Sequence, residues 1–313
     1  MLSRHANDLY WMARYVERAD NLARILDATQ HIASMPAAFS GNGNAWDSAL
    51  ASAACQDAFY RSYDRASREN VVAFLAFSAE NPSSIRSCFE AARRNARSVR
   101  TALTIEVWDA LNGAWLDIMS FDANQMLSQE FIRFLSWVKQ SSLLIDGSAG
   151  RSMLRNDQFF FNQLGKYTER ADNTARILDV KYHVLLPKDQ PVGGGLDYYQ
   201  WASILRAVSA LTSYHWIYRD SLKPWLIADL LILRREMPRS LARCYANISE
   251  LLTEIAQEYG EQGPSQSAAR ATYARLANQT MDNIFQRGLH EFLLDFIAEN
   301  NRLGSRISEQ YLS

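Results

Sequence analysis

The chain has 313 residues, 33 Lys and Arg against 34 Asp and Glu for a formal net charge of −1, and 48% hydrophobic residues. That balance excludes an intrinsically disordered chain, which needs low hydrophobicity and a large net charge, and it argues against bulk electrostatic capture of nucleic acid. Only 13 Gly and 7 Pro are present; both fall below the usual shares of about 7% and 5%, so turns are few, helices are long and an all-β sandwich is disfavoured.

The first element begins near Ser3. From Leu9, the apolar residues Met12, Val16, Ala19, Ala23 and Leu26 fall at spacings of three and four, which predicts a helix near 4–34. Tyr10, Arg14, Glu17, Asn21 and Arg24 form a polar stripe beside it. After breakers at Pro36 to Asn44, helices are predicted near 47–78, 82–110 and 114–143, with breaks at Asn112-Gly113 and at Asp146 to Gly150. Further helices follow near 151–184, 198–219, 222–235, 238–258, 266–283 and 287–302, with Gly- and Pro-containing breaks at Pro187 to Gly195 and Gly260 to Pro264.

The expected fold class is therefore all-α, a helical bundle. No apolar run approaches the roughly 18–20 residues that span a bilayer, and the charged, aromatic N-terminal segment lacks the apolar core of a signal peptide. Cys55, Cys88 and Cys244 lie far apart with no C-x-x-C pair, which points to neither a disulfide framework nor a zinc site. Gly193-Gly194-Gly195 is followed by no Lys-Ser/Thr pair and preceded by no predicted strand, so it reads as linker and not as a phosphate cradle. The expectation is a cytoplasmic chain with no membrane association and no cofactor.

An internal repeat stands out. The thirteen-residue run from Tyr15 to Asp27 returns as Tyr167 to Asp179, identical except at Val16/Thr168 and Leu22/Thr174, and His31 matches His183 one turn on. A weaker correspondence relates Phe74-Leu75, Glu80, Pro82, Ser84, Ile85 and Cys88 to Leu230-Leu231, Glu236, Pro238, Ser240, Leu241 and Cys244. Each proline is taken to mark the first turn of a long helix. Two related halves, 1–147 and 148–313, are expected to share one continuous body with pseudo-two-fold symmetry.

The repeated run carries the candidate site residues: Glu17, Arg18, Asn21 and Arg24 in the first copy, and Glu169, Arg170, Asn173 and Arg176 in the second. With about 100° between successive residues, a Glu cannot bond the adjacent Arg well within its own helix. Two readings are open. In one, the copies pair reciprocally, Glu17 with Arg170 and Glu169 with Arg18, because arginine forks suit carboxylates and buried pairs of this kind fix geometry. In the other, the stripe is a ligand site for an amino acid, a peptide end or a phosphate. General acid chemistry is disfavoured in either case, since neighbouring arginines depress carboxylate pKa values. Asp27 with His31 and Asp179 with His183 are weaker metal-ligand candidates, because the Glu-x-x-His spacing of di-iron bundles is absent. Arg93, Arg94, Arg97 and Arg100 form a basic strip with no counterpart in the second half; it is either a solvated face or a contact for an acidic partner.

These residues resemble the alpha-E family, bacterial all-helical proteins named for an "ER" motif. The resemblance rests on Leu2-Ser3-Arg4 to Arg24, on Asn81-Pro82-Ser83-Ser84-Ile85, on Arg93 to Arg97, on Leu164 to Asp172 and on Gly288 to Leu293. Arg94 departs from it, standing where a Glu is expected. The resemblance implies association with circularly permuted ATP-grasp proteins and transglutaminase-like peptidases. It implies an accessory or substrate-holding subunit of an ATP-grasp amide or peptide ligase in preference to an independent enzyme acting on an amino acid or peptide.

Overall fold

The computed structural model describes residues 2–34, 44–123, 126, 128–183 and 195–313, with the backbone alone at 128, 180–183 and 195–197. Among the described residues there are fifteen α-helices and no strand. They are α1 (Ser3–Ala33), α2 (Ala45–Ser52), α3 (Gln56–Phe59), α4 (Arg68–Val72), α5 (Ile85–Ser98), α6 (Ile105–Ile118), α7 (Ser128–Ser152) and α8 (Asp157–His183). The remainder are α9 (Gly195–Ala207), α10 (Leu211–Tyr218), α11 (Pro224–Ile232), α12 (Leu241–Tyr259), α13 (Pro264–Ala277), α14 (Met281–Arg287) and α15 (Leu289–Ile307). None of the described helices is long and apolar enough to cross a membrane.

The two helices that carry the repeated run, α1 and α8, pack against each other at the centre. α5, α7 and α9 also lean on α1, while α12 and α15 lean on α8. This central position explains the composition of α1. It buries apolar Leu9, Met12, Val16, Ala19, Leu22 and Leu26, and it also buries Glu17, Asp20, Asn21 and Arg24. Covered on several sides, the middle of α1 leaves no solvent at these four positions, so their charges must be neutralised inside.

Several boundaries differ from the sequence expectation. The segment 47–78 is divided among α2, α3 and α4: Ala54 adopts a positive φ of 52° after α2, and α4 runs on into a π-helical turn at Ala73–Phe77. The expected helix 82–110 stops at Ser98, and a new one starts at Ile105, where the Thr104 hydroxyl accepts from the Val107 N–H. Asn112-Gly113 lies inside α6, and Asp146 to Gly150 lies inside α7, where a Cβ on Gly113, Gly147 or Gly150 would meet nothing within 4 Å. The actual break falls at Met153 to Asn156. Pro82 and Pro238 stand outside their helices, which open at Ile85 and Leu241 with Ser84 and Ser240 as N-caps, each accepting a backbone N–H three residues on. The expected 198–219 helix divides at Ser209, with φ 56°, into α9 and α10, and 266–283 divides into α13 and α14.

Candidate functional site

The centre is set by a close crossing of α1 and α8. A Cβ placed on Gly165 would lie 2.1 Å from the Tyr10 carbonyl oxygen and 2.9 Å from its carbon. Only glycine permits this approach of backbones, and the matching position in the first copy is Ala13. The crossing brings the Glu-Arg dipeptides of the two helices within reach of each other.

The pairing is reciprocal. Arg170 donates Nε to Glu17 Oε1 at 2.9 Å and Nη2 to Oε2 at 2.7 Å. Arg18 donates Nε to Glu169 Oε1 at 2.6 Å and Nη2 to Oε2 at 3.1 Å. Each glutamate also receives a second arginine. Arg14 donates Nε to Glu169 Oε2 at 2.7 Å, and Arg239, just ahead of α12, donates Nη1 to Glu17 Oε1 at 2.7 Å. Arg239 then reaches Asp20 Oδ2 at 2.6 Å, an oxygen that also accepts from Arg24 Nε at 2.7 Å. The Arg239 carbonyl accepts from the Thr174 hydroxyl at 2.8 Å, so α8 holds the backbone that delivers this side chain. In the second copy the corresponding Asp172 has, among the described residues, Arg176 alone as an ion-pair partner, with Nε to Oδ2 at 2.6 Å.

Glu17 and Glu169 are buried, 6% and 3% exposed. Burial alone would raise their pKa values, but Arg170 and Arg239 override it at Glu17 and hold the carboxyl well below the usual range. Arg18 and Arg14 do the same at Glu169, down to about 2. Both are therefore carboxylates at any physiological pH and have no proton to donate as general acids. At Asp172 the balance reverses, because desolvation exceeds the pull of Arg176 and raises the pKa. Burial pushes all three thiols, Cys55, Cys88 and Cys244, up to about 12, so none is an activated nucleophile.

The other sequence candidates disperse. Arg24 is consumed by Asp20, by the Ala207 carbonyl at 3.0 Å and by the Ser209 hydroxyl at 2.8 Å. Asn21 and Asn173 are buried, with Oδ1 of the former and Nδ2 of the latter lacking a partner. Asp27 pairs with Lys139 Nζ at 2.9 Å and lies 3.7 Å from His31, while Asp179 is 2.6 Å from Nδ1 of His290. The His183 side chain lies outside the described residues, among which no group of three potential metal ligands is gathered. Two residues of the arginine strip turn back onto α6: Arg93 donates to Asn112 Oδ1 at 2.9 Å, and Arg100 lies over the Trp108 ring at 5.2 Å. Arg94 and Arg97 remain exposed.

Beside the Glu17 fork, α1, α7 and α8 line a small cleft, open to solvent, with a cavity volume of about 40 Å³ for the centre of a water-sized sphere. Its polar lining includes Glu17, Asp20, Ser142, Asp146, Lys166 and Arg239. Sequence reasoning missed the roles of Arg239, Ser142 and Asp146. The one available signal was Pro238, whose neighbour Arg239 sits one residue before the Ser240 cap.

This geometry defines an all-helical protein organised around a doubled, buried Glu-Arg clamp. A family model described as a predicted alpha-helical domain with a conserved ER motif, Alpha-E, matches residues 1–312. The chain belongs to the Alpha-E family. No curated protein and no solved structure matches it.

Proposed function

We propose that the chain is a non-catalytic, substrate-holding partner of an ATP-grasp amide or peptide ligase. The observation that carries this reading is the saturation of Glu17 and Glu169. Each carboxylate is ionised, buried and bound by two arginines. The doubled motif is then a structural clamp that fixes how α1 and α8 sit together, and turnover belongs to another protein. An ATP-grasp partner would activate a carboxylate as an acyl phosphate and join it to an amine; Alpha-E membership supports that association, with a transglutaminase-like peptidase as a further partner. Such ATP-dependent work fits the cytoplasm.

The two halves are read as related units that meet across the α1–α8 crossing, and the exposed Arg94 and Arg97 offer a contact for an acidic surface of the ligase. Co-purification of the full chain with a candidate ATP-grasp ligase is the test. A stable complex at micromolar concentration, weakened by an Arg94→Glu/Arg97→Glu double change, is the expected result. Absence of any complex at that concentration would count against the partnership.

A second reading, ligand binding within the polar centre, is favoured by the cleft beside Glu17. In it the chain engages an amino acid or peptide itself.

A further inference from the structure

The cleft beside Glu17 is balanced in formal charge. Lys166, Arg170 and Arg239 face Glu17, Asp20 and Asp146. Such a lining offers no net positive field to a nucleoside triphosphate or another polyanion. It suits a small ligand that carries both signs.

Most of these charges are already committed. Glu17 and Arg170 saturate each other in a fork. Lys166 spends one of its three ammonium donors on Asp146 Oδ1 at 2.8 Å. Two buried polar atoms in residues that line the cleft have no partner: Asp20 Oδ1 and Ser142 Oγ. The two residues are only 3% and 6% exposed, so bulk water does not satisfy these atoms. Asp20 Oδ2 is fully engaged by Arg24 and Arg239, which fixes the carboxylate and leaves Oδ1 as an acceptor in want of a donor. Ser142 lies within α7 yet does not return its hydroxyl to its own helix, as Ser152 on the same helix does to the Ser148 carbonyl at 2.8 Å. A buried, unpaired acceptor on a fixed carboxylate calls for a charged donor, and an ammonium group brings three.

We infer that this cleft binds the ammonium end of a small zwitterionic substrate, an amino acid or short peptide, with Asp20 Oδ1 and Ser142 Oγ as its recognition groups and Lys166 facing the ligand's carboxylate. The assignment rests on the reading of the chain as a substrate-holding protein and names the substrate class.

The test is calorimetric titration of the full chain with three probes: L-alanyl-L-alanine, L-alaninamide and N-acetyl-L-alanine. The dipeptide binds. The amide, which keeps the ammonium and lacks the carboxylate, binds more weakly. N-acetylalanine, which lacks the ammonium, binds at least about tenfold more weakly than the dipeptide, the fold-change expected for loss of a charge-assisted bond. Ser142→Ala removes a hydroxyl that makes no bond in the unliganded protein, so it leaves the melting temperature unchanged or slightly higher and weakens the dipeptide by about three- to tenfold. No heat with the dipeptide at millimolar concentration overturns the assignment. So does N-acetylalanine binding as tightly as the dipeptide, or unchanged affinity in Ser142→Ala. Dipeptide binding without ligase association would keep the site and sink the partnership, and the converse would sink only the site.

Discussion

Arg18 of α1 and Glu169 of α8 form a two-bonded fork, and Arg170 of α8 returns the same fork to Glu17 of α1. A single fork leaves two helices free to roll about one contact; two of opposite sense fix both rotation and sliding. Replacing the carboxylate by an amide leaves arginines buried without their counter-charge, a loss that costs about 3–5 kcal/mol for buried pairs. Glu169→Gln strands Arg14 and Arg18, and Glu17→Gln strands Arg170 and leaves Arg239 with Asp20 alone. Each change should therefore lower the unfolding free energy by an amount in that range, measured by urea titration. A cost under about 1 kcal/mol for both would show that the forks do not clamp the fold.

The same pairs set an acid limit. Its two arginines hold the Glu169 carboxyl down to about 2 in the folded protein, and Glu17 is also depressed, against an ordinary 4.5. Because the folded values are lower than the unfolded ones, the stability they contribute is complete above about pH 4.5 and drains away as pH falls towards 2. The Glu169 shift alone corresponds to roughly 3 kcal/mol. Denaturation followed by circular dichroism from pH 7 to pH 2 should show stability falling across that window, with a shallower fall in Glu169→Gln. An equally steep fall in the variant would mean that other carboxylates govern acid unfolding.

The central helices were legible because the repeat is nearly exact over the run Tyr15 to Asp27, and because a Glu next to an Arg must look beyond its own helix for a partner. α1 and α8 were placed to within a few residues at most ends for the same reason. The breaks were harder. Gly113, Gly147 and Gly150 look like punctuation in sequence, but each sits where a side chain would meet open space. A long, well-packed helix absorbs the cost of about 1 kcal/mol for each such glycine. The true starts depended on single hydroxyls, at Thr104, Ser84 and Ser240, which the hydrophobic period does not register. Arg239 was illegible for another reason. It lies 222 residues from Glu17, and nothing in local spacing announces which loop arginine will enter a buried cluster.

Gly165→Ala tests the crossing itself. Its Cβ would fall 2.1 Å from the Tyr10 carbonyl oxygen, a backbone atom that cannot swing aside as a side chain does. The helices must separate, and the forks a turn further on lengthen with them. A destabilisation of about 1–3 kcal/mol or more is expected, as for overpacked interiors. The usual gain of helix propensity from Gly to Ala, about 1 kcal/mol, works in the opposite direction. Gly147→Ala on α7, where a Cβ meets nothing, is the control and should be neutral or stabilising. If both substitutions raise the melting temperature, the α1–α8 contact is looser than the geometry requires.

Asp172→Asn should behave unlike the glutamate changes, although Asp172 is the repeat counterpart of Asp20. Asp20 is held by Arg24 and Arg239 together, whereas Asp172 has, among the described residues, one ion-pair partner, Arg176, which is itself about a quarter exposed. Desolvation exceeds that partner's attraction and raises the Asp172 pKa, so its charge costs stability in the folded state. With the folded value above the unfolded one, the cost is complete at pH values above the folded pKa and vanishes below the ordinary value of 3.8. Removing the charge therefore relieves the protein at neutral pH, while Arg176 can turn to solvent. Urea titrations at pH 7 should find Asp172→Asn equal to or slightly more stable than the natural chain, and titrations below about pH 4 should find any advantage gone. Asp20→Asn takes the counter-charge from Arg24 and one of two from Arg239, which keeps Glu17, and should be markedly less stable at pH 7. Equal losses for the two variants would mean that the second arginine on Asp20 carries no weight, and that the two copies are energetically equivalent despite their different partners.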